Sequence, residues 1–280
     1  MKSYILFTGL LFTSILLRAA MVENLRCEYQ LNPLGVDVTS PRLSWNIVSP
    51  GRGDFQHAYR ILVATTPENL DKDLGDIWDT GKKDSDQSVQ VEYKGKLLQS
   101  GTKYFWKVKV WNFNNKPSEW SKPAFWSMGL LTRQDWNNAL WIAFKDGDQW
   151  AKEWKQHKDS ELSNLPPVKW PNPSWPWMTG KDSTIFNLYE MPNPKYDPSP
   201  LFRKEFSVVK KISTATLYIC GLGYYEAFLN GEKVGDHVLD PAWTNFDQRS
   251  FYVTYDVTQQ LNQGKNAIGV MLGRGQYNPI

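Results

Sequence analysis

Across residues 22–130 the apolar positions recur with period two, and turn-forming residues interrupt them at short intervals. Leu43, Trp45 and Ile47 alternate after Pro41, Tyr59, Ile61 and Val63 alternate in the next run, and Tyr104, Trp106, Val108 and Val110 alternate in a third. Successive side chains of a strand point to opposite faces, so each run turns one apolar face inward. Between the runs stand Ser49-Pro50-Gly51, Thr80-Gly81 and Ser100-Gly101, which break helices and reverse strands. A single helical turn is predicted over residues 67–74. The runs around Tyr104-Phe105-Trp106 and Pro123-Ala124-Phe125-Trp126 are expected to pair and close the sheet, with Trp45 plugging its core.

Residues 149–200 break this pattern. Leu165-Pro166-Pro167, Trp170-Pro171-Asn172-Pro173, Trp175-Pro176-Trp177 and Asp197-Pro198-Ser199-Pro200 remove backbone donors and forbid regular structure, so a long irregular insertion is expected. Alternation resumes with Phe202, Lys204 and Phe206, then with Leu217 and Ile219, and then with Tyr225, Ala227 and Leu229. Asn230-Gly231 carries the two-residue hairpin signal. Residues 251–255 and 267–271 read as further strands, joined by a capped turn at Asp256-Val257-Thr258. The predicted fold is all-β. About seven strands in roughly 100 residues make the first sandwich of the fibronectin type III or immunoglobulin kind, over 22–130. A jelly-roll-like sandwich follows over 131–280, and it is expected to be truncated at its C-terminal end.

Composition narrows the function classes. Aromatic residues make up 14% of the 280 residues, with 14 Trp, which suits sheets and also suits proteins that stack sugar rings on indole. The net charge is only +3 and the basic residues alternate with acidic ones, so no positive stripe tracks a phosphate backbone and nucleic acid is not an expected partner. Residues 1–20 read as an export signal: Met1-Lys2 is a positive start, residues 4–17 are an apolar run, and Ala19-Ala20 are small residues at a cleavage site. That run, about 14 residues long, is too short to span a bilayer comfortably, so no membrane span is expected. The destination is periplasmic or extracellular. Only Cys27 and Cys220 are present, in different predicted domains, which excludes a disulfide framework; the reading favoured for them is two small buried hydrophobes.

Candidate chemistry is sparse. Glycoside hydrolysis needs two carboxylates on a rigid scaffold. Glu226, Asp236 and Asp240 are the carboxylates to consider, but they flank a hairpin whose acidic residues are expected to be solvated. His57, His157 and His237 have no metal-ligand spacing, and Gly221-Leu222-Gly223 lacks the third glycine of a nucleotide fingerprint and reads as a bulge or close backbone approach. The tryptophans Trp150, Trp154, Trp170, Trp175 and Trp177 admit two readings. Either they stack sugar rings, or they are apolar anchors that pin the proline-rich loop.

The run of residues 215–236, Ala-Thr-Leu-Tyr-Ile-Cys-Gly-Leu-Gly-Tyr-Tyr-Glu-Ala-Phe-Leu-Asn-Gly-Glu-Lys-Val-Gly-Asp, resembles the amino-terminal domain of bacterial α-L-rhamnosidases of glycoside hydrolase family 78. Leu239-Asp240-Pro241-Ala242-Trp243-Thr244-Asn245-Phe246, Tyr255-Asp256-Val257-Thr258 and residues 266–273 continue it in order. Pro41-Arg42-Leu43-Ser44-Trp45 and Tyr104-Phe105-Trp106-Lys107-Val108 look like the fibronectin-type module that precedes that domain. The resemblance implies an exported hydrolase that removes terminal α-L-rhamnose from plant glycans or glycosides. It places the catalytic glutamates on a helical (α/α)6 barrel that this chain does not contain, so the chain alone is expected to be inactive and to have no catalytic residues of its own. Some relatives of the domain bind rhamnose with a calcium ion. The positions this implies are Glu226, Asn230, Asp240, Trp243, Trp175 and Trp177 for sugar, and Asp236 and Asp240 for calcium, with no other cofactor. Where the family reads Gly-Asn-Gly-Trp-Tyr, this chain reads Gly273-Arg274-Gly275-Gln276-Tyr277.

The expected partners are a rhamnose-containing carbohydrate and the catalytic domain of the same polypeptide. Two other classes stay open on the sequence: a stand-alone lectin-like module, and a structural spacer or interaction module.

Overall fold

The computed structural model describes residues 21–49, 53, 55–142, 200–245 and 248–273. The expected signal segment, the proline-rich insertion with Trp175 and Trp177, and residues 274–277 lie outside the described residues. The chain divides into two compact units, Met1–Trp136 and Asn137–Ile280. Both are built almost wholly of antiparallel strands, so the all-β expectation holds.

In the first unit one sheet joins β1 (Met21–Cys27), β2 (Arg42–Val48) and β6 (Val91–Glu92). The other sheet runs β4 (Trp78–Asp79), β3 (Gln56–Ala64), β7 (Lys103–Asn112) and β8 (Ala124–Ser127), with β5 (Lys83–Asp84) also pairing with β3. The period-two runs of the sequence become the facing inner surfaces: Leu43 and Trp45 from one sheet, and Tyr59, Ile61, Val63, Tyr104, Trp106, Val108 and Trp126 from the other, all buried. Burying one large side chain of this kind is worth about 1.5–3 kcal/mol, so this continuous core dominates the unit's stability. Trp45 is the predicted plug. Its indole Nε1 donates to Gln56 Oε1 at 3.0 Å, and its ring meets Tyr59 edge-on at 5.3 Å.

The expected helical turn is α1 (Pro67–Asp71). Thr66 caps it by accepting from Asn69 N at 3.3 Å, and proline occupies the first turn, where a missing N–H costs nothing. The outer face of β3 and β7 carries a second arrangement. Ser118 Oγ accepts from Val110 N at 3.1 Å and Ser121 Oγ from Val108 N at 3.0 Å, so the segment between them lies along β7. That places the Trp120 ring among Arg60, Lys107 and Lys109, whose cationic groups stand 4.7–5.9 Å from its centre.

The second unit pairs β12 (Glu232–Lys233), β11 (Tyr225–Leu229), β14 (Gly264–Leu272) and β9 (Leu201–Val208) in that order, and β10 (Thr216–Ile219) with β13 (Val253–Asp256) separately. Its core is Tyr225, Ala227, Leu229, Val234, Tyr255 and Val257. The hairpin between β11 and β12 turns at Asn230 and Gly231, with φ of 54° and 90°, the left-handed pair that a two-residue turn requires. Asp256 Oδ1 accepts from Thr258 N at 3.1 Å, forming the predicted capped turn.

Candidate functional site: the end of the second sandwich

Strand β11 distributes the described candidate residues to three separate places. Tyr225, Ala227 and Leu229 alternate inward, so Glu226 faces the other side of the sheet, where its carboxylate is paired with Lys233 Nζ at 2.7 Å. Asn230 lies beyond the far end of β11 from Tyr225. At about 3.4 Å per residue, five residues separate the two by some 17 Å. Its side chain is fully engaged in structure: Nδ2 donates to Gln260 O and to Asn266 Oδ1, both at 2.8 Å, and Oδ1 accepts from Ala267 N at 2.9 Å.

Asp240 sits at the near end. Its carbonyl accepts from Tyr225 N at 2.9 Å, which extends the sheet by one bridge. Its carboxylate accepts the phenolic hydrogen of Tyr255, and His237 Nδ1 lies 2.8 Å from the same oxygen. The Asp240–Pro241 peptide is cis. Burial, and then the hydrogen bond to Asp240, push the Tyr255 phenol up to about 12. The Tyr225 hydroxyl is buried beside Tyr255 without meeting hydrogen-bond geometry to any described group, and burial raises its pKa strongly.

Two glycines fit these rings closely. A Cβ on Gly221 would stand 2.8 Å from Tyr225 Cδ1, and one on Gly235, whose φ is +69°, would stand 2.6 Å from Tyr255 Cε1. The close backbone approach read from Gly221-Leu222-Gly223 is therefore present, made against an aromatic ring. Beyond Asp240 the loop turns outward. Val238, Leu239 and Trp243 are 73%, 66% and 64% exposed, so Trp243 presents an open indole.

These positions do not converge on a cation. Asp236 is exposed, Asp240 holds Tyr255 and His237, Glu226 holds Lys233, and Asn230 spends its oxygen on a backbone amide. Among the described residues no three His, Cys, Asp or Glu side chains gather to hold a metal. The donor set of these described residues does not fit a calcium site. Both cysteines are free thiols. Cys27 is buried, and burial with the neighbouring Glu28 charge pushes it up to about 12, which makes it inert at neutral pH. Cys220 Sγ donates to Phe251 O at 3.1 Å.

Sequence reasoning passed over Asn266, Gln56 and Lys107, three buried polar residues that organise their neighbourhoods. Asn266 and Lys107 fall inside quoted strand motifs, where polar residues read as outward-facing. A signal was present for the setting of Lys107 under Trp120, in the pair of serines three apart, Ser118 and Ser121, that flank Glu119-Trp120.

The architecture defines a class first: two tandem antiparallel β modules, an immunoglobulin-like sandwich and a second sandwich with an ordered Asp–Tyr–His end. Residues 22–132 match the family model described as Rha78A-like, N-terminal immunoglobulin domain, and residues 210–279 match the α-L-rhamnosidase N-terminal domain. The chain carries the pair of amino-terminal modules of α-L-rhamnosidases, in order. It is 40% identical over 247 residues to an α-L-rhamnosidase of Formosa agariphila, covering 88% of this chain and 23% of that protein. To an α-L-rhamnosidase of Alteromonas sp. (strain LOR) it is 34% identical over 250 residues, covering 89% and 23%. Among solved structures it superposes on α-L-rhamnosidase from Dictyoglumus thermophilum with a TM-score of 0.72 at 34% identity, over 92% of this chain and 25% of that one. The enzyme from Aspergillus terreus gives 0.65 at 30% identity, over 92% and 24%. The chain thus spans about a quarter of the length of the relatives it matches.

Proposed function

We propose that this chain is the non-catalytic front portion of an exported α-L-rhamnosidase, and that its main service is to support the domain that performs hydrolysis. The observation that carries the reading is the match of both modules, in order, to about the first quarter to third of α-L-rhamnosidases that extend far beyond it. The geometry of the second unit agrees with support. Glu226 is committed to Lys233 and Asp240 to Tyr255 and His237, in separate places, and the two do not flank an open bond-cleaving site. Export rests on the apolar residues 4–17, and the periplasm or exterior is where a terminal rhamnosyl group of a plant glycan would be met. The partners in this reading are the catalytic part of the same polypeptide and a rhamnose-containing carbohydrate.

A second reading, substrate recognition by this portion itself, is favoured by one observation, the 64% exposed Trp243 beside the ordered Asp240. Calorimetric titration with L-rhamnose, with and without calcium, separates the two. Support predicts no heat at millimolar sugar. Heat that disappears in both Trp243→Ala and Asp240→Ala supports recognition. Turnover of an aryl α-L-rhamnoside by the 280-residue chain would overturn the non-catalytic assignment.

A further inference from the structure

Asn230-Gly231 is the only Asn-Gly pair in the 280 residues, and it stands exposed at the tip of the β11–β12 hairpin. Asn-Gly is the dipeptide most prone to spontaneous deamidation, because glycine has no Cβ to keep its backbone nitrogen away from the side-chain carbonyl carbon before it. In that reaction Gly231 N gives up its proton and bonds to Asn230 Cγ. The Cγ–Nδ2 bond breaks, ammonia leaves with the proton, and a five-membered succinimide is formed. Water then opens the ring to aspartate or isoaspartate, and no oxidant or cofactor is consumed. Attack requires the glycine nitrogen to stand over the face of the side-chain amide, a geometry reached by rotation about the Cα–Cβ and Cα–C bonds of the asparagine. The folded hairpin holds both bonds. Asn230 Oδ1 accepts from Ala267 N at 2.9 Å, and Nδ2 donates to Gln260 O and to Asn266 Oδ1, both at 2.8 Å. Asn230 N donates to Ala267 O at 2.8 Å, and the pairs Phe228↔Lys233 and Leu229↔Glu232 keep the chain in register on either side of the turn.

We infer that Asn230 is a deamidation site that the fold keeps closed: the labile pair survives while its side chain is clamped to Asn266, Gln260 and Ala267, and a chain that opens there is altered irreversibly. The clamp protects it, and burial does not, because Asn230 is exposed to the water that completes the reaction. The same clamp decides what the altered chain can rebuild. An aspartate at this position has no donor to set against Gln260 O and Asn266 Oδ1, so two acceptors face a carboxylate. Asn266 cannot answer by turning its amide over, since its Oδ1 also accepts from Asn262 N and its Nδ2 donates to Asn262 O and Gly264 O. Isoaspartate adds a methylene to the main chain of a two-residue turn and so disturbs the pairing of Leu229 with Glu232 as well. Either product leaves the hairpin weaker than before. An opening of the second unit is thereby recorded in its covalent structure, while the first unit, which has no Asn-Gly pair, carries no such mark.

Peptide mapping by mass spectrometry, which resolves asparagine, aspartate and isoaspartate at this position, tests it in mildly alkaline buffer. Deamidation of Asn230 in the folded 280-residue chain is expected to run at least about tenfold slower than in the same chain held unfolded in urea. A smaller difference overturns the inference, and this comparison needs no variant. Asn266→Ala removes one acceptor of Asn230 Nδ2 and is expected to speed the reaction at least about threefold in chains whose β11 amides still resist hydrogen exchange. An unchanged rate in such chains overturns the clamp. Should Asn266→Ala leave β11 unprotected, the unsubstituted chain is followed through low urea instead, where deamidation is expected to rise in proportion to β11 exchange; a rate independent of that exchange overturns it. Asn230→Asp carries the altered side chain from the start. Its second unit is expected to unfold at lower urea while the first unit unfolds where it did, and unmoved midpoints in both units overturn the claim that the altered hairpin is weaker.

Discussion

The Asn230 side-chain amide donates to Asn266 Oδ1 at 2.8 Å, joining the β11–β12 hairpin to the start of β14. Asn266 is buried, and its remaining polar capacity goes to Asn262 N and O at 2.8 Å and to Gly264 O at 3.0 Å. Asn230 is a candidate sugar ligand by sequence, yet it is the turn residue that holds this knot.

Removing Asn266 leaves Asn262 N and O and Gly264 O, part-buried groups at the start of β14, without their side-chain partner. Asn266→Ala is expected to cost about 2–4 kcal/mol, against a few tenths for Trp243→Ala on the exposed loop. Urea unfolding followed through the second unit checks both. Equal effects would contradict the knot.

Gln56 plays the corresponding part in the first unit. Its amide receives Trp45 Nε1 and donates to Ser85 O at 3.0 Å and to Gln87 O at 2.9 Å, so one buried side chain ties both sheets to the loop after β5. Gln56→Ala should lower stability by about 2–3 kcal/mol and change the near-ultraviolet signal of Trp45, measured by circular dichroism during denaturation.

Lys107 is nearly buried. It donates to Leu70 O at the end of α1 and to Asp73 Oδ1 at 2.5 Å, under the Trp120 ring. Lys107→Met is expected to cost about 1–3 kcal/mol, because the carbonyl and the carboxylate lose a shared donor, whereas Asp73→Asn should cost less since Asp73 is half-exposed. Thermal unfolding of the two variants gives the ranking.

The first unit should weaken in acid. The Arg42 hydrogen bond holds Glu28 below its ordinary 4.5, and the Lys107 and Arg60 hydrogen bonds hold Asp73 and Asp79 below 3.8. Unfolding returns these carboxyls to their ordinary values, so the unfolded chain binds protons first as pH falls. The stabilisation is complete above those ordinary values and is lost as pH falls through the lowered ones. Unfolding temperature measured from pH 6 to pH 2.5 should drop more steeply below about 4.5, and Arg42→Met should make that drop shallower.

The second unit should weaken in alkali. The Tyr255 phenol is raised from 10.0 to about 12, so its contribution is full below 10 and is lost as pH rises through 12. Phenolate absorbance titrated from pH 9 to pH 12.5 should show Tyr255 ionising late, together with loss of the second unit's signal. Tyr255→Phe is expected to cost about 1–2 kcal/mol, because Asp240 loses the phenolic donor and keeps only His237.

The sequence by itself determined the sheets. Leu43, Trp45, Ile61, Val108 and Ala227 face inward because a strand alternates its faces, and Asn230-Gly231 and Thr66-Pro67 mark their turns because only certain residues suit left-handed or capping backbone. These are local properties of the chain, legible residue by residue. The tertiary structure alone decided where Glu226, Asn230 and Asp240 point, and that Gln56, Lys107 and Asn266 turn inward. Those outcomes depend on which strands become neighbours, and pairing between segments far apart in sequence leaves no mark on either segment read alone.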